Sequence, residues 1–111
     1  MPELSVILPA RNAAGTIARA VASTLAAMPA DSELVVGNDS SSDSTVGEAI
    51  RGASRGGVVD TRLRVEDITP GEGGVSRVLT QLMDRTDSRL VGRMEAGDVS
   101  LTGRLKLSTI H

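Results

Sequence analysis

The chain has 111 residues, is 40% hydrophobic and 23% charged, carries a formal net charge of -2 and contains no cysteine. That composition describes one soluble globular domain and excludes a disulfide framework, a thiolate metal site, a basic nucleic-acid surface and a membrane span. There is no Phe, Trp or Tyr either, so the core must be built from aliphatic side chains and Met, which bury less area each than aromatics do.

The first predicted element is a buried strand, the apolar run Leu4 to Pro9 in "LSVILP". A helix is expected next, with Asn12 as its N-cap and an apolar stripe of Ile17, Val21, Leu25 and Met28. "ELVVG", Glu33 to Gly37, reads as a second buried strand, followed by the polar loop "NDSSSDST". A short helix is predicted from Thr45 to about Ala53, started by Asp43 and Ser44, and "RGGVVD" reads as a loose connection. "TRLRVED", Thr61 to Asp67, alternates like a more exposed third strand. A loop leads to a helix from Gly74 to Met83 with Val75, Val78, Leu79 and Leu82 on one face, and "SRLVGRM" is the fourth strand. The end, with Leu101, Leu105 and Ile110 at helical spacing, has no cap or breaker, so the chain reads as part of a longer one.

Strands alternating with helices predict a three-layer α/β/α domain with a mostly parallel sheet. Ligands of such sheets bind beyond the carboxyl ends of the strands. The three ends that matter, "PARN", "GNDSSSD" and "MEAGD", are all polar, and two carry acids. Their convergence is the main functional signal. "GEGGVS" lacks the last glycine of a dinucleotide loop and does not follow the first strand, so no dinucleotide site is expected there. His111 is assigned no role, and the Met residues are read as core.

In order and spacing, "SVILPARN", "ELVVGNDSSSDST", "GGVS" and "RMEAGDVSLTGRL" resemble the N-terminal, nucleotide-sugar-binding half of family-2 glycosyltransferases with the GT-A fold. Residues 1–111 are then one domain, the donor half, with the acceptor half and its catalytic base absent. The resemblance implies an enzyme that moves a sugar from a nucleotide diphosphate, a UDP-sugar being the expected donor, to an acceptor with inversion. It puts Pro9, Ala10 and Asn12 along the base, Asp39 as a hydrogen-bond acceptor from it, and Gly73, Gly74 and Arg77 beside the ribose, with Arg77 able to reach a phosphate. Ser40 stands where the family has glycine, which strains the turn if that residue needs positive φ. The family's "DADD" segment, which holds Mg²⁺ or Mn²⁺ against the diphosphate, reads "EAGD" here. Glu95 and Asp98 are the remaining metal candidates, and Gly97 occupies the position of the ligating acid. Two readings of them stay open, a shifted cation site or a solvated Glu95 with Asp98 capping the next turn. The cytoplasm is the expected compartment, an oligomer is plausible, and this chain alone is expected to be inactive. The rival function is a truncated or degenerate, non-catalytic relative with a binding or structural role.

Overall fold

The structure, a computed structural model, describes residues 2–94 and the strand at 106–109. Strand β1 (Leu4–Ala10) leads to helix α1 (Ile17–Ala27), β2 (Ser32–Asn38) and α2 (Thr45–Gly52). A small hairpin, β3 (Ser54–Arg55) and β4 (Val58–Val59), precedes β5 (Leu63–Asp67), α3 (Gly74–Asp84), β6 (Leu90–Arg93) and β7 (Lys106–Thr109). The main sheet runs β5-β2-β1-β6-β7. Its first four strands are mutually parallel, and β7 is antiparallel to β6. Among the described residues, no helix is long and apolar enough to cross a membrane.

β1 lies at the centre with helices on both sides, so it is apolar on both faces, as parallel strands are. Leu4, Val6 and Leu8 pack with Leu34 and Val36 of β2 under Ile17, Val21 and Leu25 of α1 and Ala49 of α2. On the other face Ile7, Val35 and Val91 meet Val78 and Leu82 of α3. This is the expected three-layer arrangement. β5 is a strand of intermediate exposure at the edge of the sheet, in line with its alternating sequence.

Four local expectations need correction. Asn12 does not cap α1: the helix starts at Ile17 with Thr16 at its N-cap, and Asn12 sits at φ 49. The backbone between them turns on the Ala13 carbonyl, which accepts from Thr16 N at 3.0 Å and Ile17 N at 2.8 Å. Val75 is not on the buried face of α3 but 50% exposed. The connection at 55–60 is not loose, because Gly56 and Gly57, at φ 58 and φ 83, turn β3 back onto β4. Two successive positive φ values are what a type I′ hairpin turn requires, and the Gly-Gly pair was the available sign. Finally, no helix occupies 106–109, where backbone pairing of β7 with β6 takes precedence over the apolar spacing.

Candidate functional site

Parallel register carries the ends of β1, β2, β5 and β6 to one edge of the sheet. From β1 the chain steps through β2 to β5 on one side, then crosses to β6 on the other. The order therefore reverses at β1, and a crevice opens at such a reversal, above the strand ends. Three described loops rim it, 11–16, 39–44 and 68–73. Glu95 and Asp98, the metal candidates, lie outside the described residues, as does Gly97.

The first two loops are stitched together by side chains. Asn12 Oδ1 accepts from Ser42 N at 2.7 Å and from Ser42 Oγ at 3.2 Å, while Asn12 N donates to Ser41 Oγ at 3.1 Å. Ala13 N donates to the buried Thr45 Oγ1 at 2.8 Å. Asp43 Oδ2 accepts from Ala14 N at 3.3 Å, and its Oδ1 accepts from Thr45 N at 3.0 Å and from the Thr45 hydroxyl. The Thr45 hydroxyl, with these backbone amides, holds the Asp43 carboxyl below the ordinary carboxylate value. Asp43 thus starts α2, as its sequence position implied.

Asp39 follows the last residue of β2 and is 8% exposed. Its amide donates to the Ala10 carbonyl at 2.9 Å, which extends the β1–β2 ladder by one bond. An aspartate in a serine-rich loop is often consumed by the loop's own turn. Here that work falls to Asn38, whose Oδ1 accepts from Ser41 N at 3.3 Å and whose Nδ2 donates to Asp67 at 3.2 Å. The Asp39 carboxylate instead receives Arg77 Nη2, at 3.1 Å to Oδ1 and 3.2 Å to Oδ2. Ser40 has φ 55, so serine does occupy a left-handed position that suits glycine.

Arg77 comes from the first turns of α3. Its Nη1 donates to the Thr69 carbonyl at 2.8 Å, and its Nε is buried without a partner. Gln81 holds the same loop, accepting from Thr69 N at 2.8 Å and donating to Thr69 O at 3.0 Å. Of the residues singled out from sequence, the structure brings Ala10, Asn12, Asp39 and Arg77 into one bonded cluster around loop 39–44. Pro9, half-buried, is the penultimate residue of β1, and Gly74 is exposed at the start of α3. The loop-holding roles of Asn38, Thr45 and Gln81 were missed. Thr45 was legible only as a helix start, and Gln81 gave no sign, since its partner is 12 residues away. Among the described residues, no group of three His, Cys, Asp or Glu could hold a metal ion.

No curated protein matches the chain. Among solved structures it is similar to glucosyl-3-phosphoglycerate synthase of M. tuberculosis, at 22% identity and a TM-score of 0.71, over 92% of this chain and 36% of that one. A structure of the M. tuberculosis enzyme with Mg²⁺ and uridine diphosphate matches at 23% identity and a TM-score of 0.65, over 86% and 33%. A mannosyltransferase of Pyrobaculum calidifontis, solved with GDP-Man and Mn²⁺, matches at 21% identity and a TM-score of 0.76, over 92% and 29%. The chain thus spans about a third of the length of these structures, and at such identities they establish a shared fold. The sequence itself matches the profile of Glycosyl transferase family 2 over residues 5–107, nearly its whole length. With the parallel sheet, the reversal at β1 and the polar strand ends, that match makes this chain a member of glycosyltransferase family 2.

Proposed function

We propose that this chain is the donor-binding half of a sugar-transferring enzyme and that the crevice above β1 takes the nucleoside diphosphate of the donor. The observation that carries the reading is Asp39, a nearly buried carboxylate at the strand edge that its own loop does not use. Beside it stands the Arg77 guanidinium, whose Nη2 donates to both carboxylate oxygens. An acceptor next to a donor fits the imide edge of uracil, thymine or guanine, where a ring N–H adjoins a carbonyl. It does not fit cytosine, whose ring nitrogen at that place is a bare acceptor. Pro9, Ala10 and Gly74 form the walls of the crevice in this reading. The similar structures with UDP or GDP-Man support the nucleotide class.

A divalent cation, when bound, neutralises the charge of a leaving diphosphate. Its candidate holders, Glu95 and Asp98, lie outside the described residues. The acceptor base and the inverting displacement belong to the rest of the enzyme. Gly97, in place of the ligating acid, favours a second reading, a binding module that no longer transfers sugar.

Calorimetric titration with UDP, GDP, dTDP and CDP, with and without Mn²⁺, tests both. The first reading expects the imide nucleotides to bind tighter than CDP. Asp39→Asn should weaken them by about 1–3 kcal/mol, the cost of an unpaired polar group, and remove the preference. Equal affinity for UDP and CDP would sink it. Binding of UDP with no response to Mn²⁺, restored to Mn²⁺ dependence by Gly97→Asp, would favour the second.

A further inference from the structure

We infer that Asn12 is a positioning residue, whose amide oxygen sets the aim of Asp39 by holding the 39–44 loop. The inference rests on the donor-site reading above and assigns Asn12 a different task within it.

The argument starts from strain. Ser40 at φ 55 is a non-glycine residue in the left-handed region, a conformation that persists only where its surroundings enforce it. Two cross-loop clamps flank it. Before it, Asp39 N is bonded to Ala10 O at 2.9 Å. After it, Ser42 N is bonded to Asn12 Oδ1 at 2.7 Å and Ser41 Oγ accepts from Asn12 N at 3.1 Å. The peptide that carries the Asp39 side chain therefore lies between a clamp on β1 and a clamp on Asn12.

Asn12 suits this task in two ways. It is itself left-handed, at φ 49, a region where Asn is among the few tolerated L-residues. And a backbone N–H can only donate, so the amide oxygen of Asn12 must face Ser42. With Oδ1 accepting from both the Ser42 amide and the Ser42 hydroxyl, its acceptor capacity is used within the protein. Losing this residue should let the Ser40 turn relax and swing the Asp39 carboxylate off Arg77.

The test compares Asn12→Gly, which keeps the left-handed backbone and removes the oxygen, with Asn12→Asp, which keeps both. Exchange of the Ser42 amide, UDP and GDP affinity and the thermal midpoint are measured for each. Asn12→Gly should speed Ser42 exchange and weaken nucleotide binding, each by about 3- to 10-fold, the equilibrium weight of one hydrogen bond, with little change in midpoint. Asn12→Asp should restore both. A direct contact with a diphosphate predicts the opposite for Asn12→Asp, because it adds a negative charge. The inference is overturned if Asn12→Gly leaves Ser42 exchange unchanged, if exchange rises while affinity holds, or if Asn12→Asp fails to rescue. Should the unmodified chain bind neither nucleotide, the donor reading falls separately. The Asp39 carboxylate carbon shift then decides: moved by Asn12→Gly it supports the inference, unmoved it overturns it.

Discussion

Two arginine–aspartate pairs sit at opposite ends of the sheet and differ in how completely they are used. At the end where β5 begins, Arg62 meets Asp60 through Nε at 3.1 Å and Nη2 at 2.9 Å. Its remaining donors reach Leu25 O at 3.0 Å and the Met28 and Pro29 carbonyls, both at 3.2 Å. These carbonyls lie at the end of α1 and just beyond it, so Arg62 closes that end from another element and complements the helix dipole. Hydrogen bonds from Arg62 hold Asp60 below its ordinary carboxylate value, and Asp60 raises Arg62 in return. At the strand-end edge, Arg77 reaches Asp39 through one nitrogen and Thr69 through another, and leaves Nε buried and unpaired. A saturated guanidinium is a structural cap. The Arg77 pair instead lies at the strand-end edge, where ligands of parallel sheets bind. A groove of about 600 Å³ adjoins the first pair, lined by Leu25, Met28, Ala53, Val58 and Val59.

The largest expected effect breaks the structural pair. Arg62→Ala should lower stability by about 2–3 kcal/mol, several charged hydrogen bonds discounted for partial exposure, and leave UDP affinity unchanged. Denaturant unfolding and calorimetry together check this. Arg77→Ala should divide its effect the other way, costing about 1–2 kcal/mol of stability and at least tenfold in nucleotide affinity. If the two variants lose affinity equally, the distinction between a saturated and an unsaturated pair has no functional content.

Ser40→Gly sharpens the comparison at the site end alone. Glycine accepts φ 55 without a Cβ penalty but adds freedom to the unfolded chain, so a net gain of about 0.5–1 kcal/mol in denaturant unfolding is expected. The smallest effect is on pH. Asp43 has a depressed folded pKa, first from the Thr45 hydroxyl, so its stitch is fully present above its ordinary value of 3.8 and is lost as pH falls through the lower folded value. Amide shifts of Ala14 and Thr45 should move together in that acid range. Asp43→Asn should remove the transition.

The order of strands and helices was legible because hydrophobic periodicity is a local property. Leu4 to Pro9, Ile17 to Leu25 and Val78 to Leu82 each declare their element within a dozen residues. The polar strand ends were legible for the same reason, since a parallel α/β pattern already places them on one edge. The partners of the polar side chains were not. Asn12 had the credentials of an N-cap, but the Ser42 amide, 30 residues on, takes its oxygen and the backbone turns left-handed instead. Asp39 reads as a ligand residue because it follows a buried strand, but its partner Arg77, 38 residues away, which draws its carboxylate out of the loop, was not legible. The carbonyls at the end of α1 are met by Arg62, bonded to Leu25 across 37 residues, a partner no local pattern announces. At 106–109 an apolar spacing suggested a helix, and the free edge of β6 made a strand. Periodicity specifies which face of an element is apolar. Which donor meets which acceptor depends on distances that exist only after the strands have paired, and those the tertiary structure alone decided.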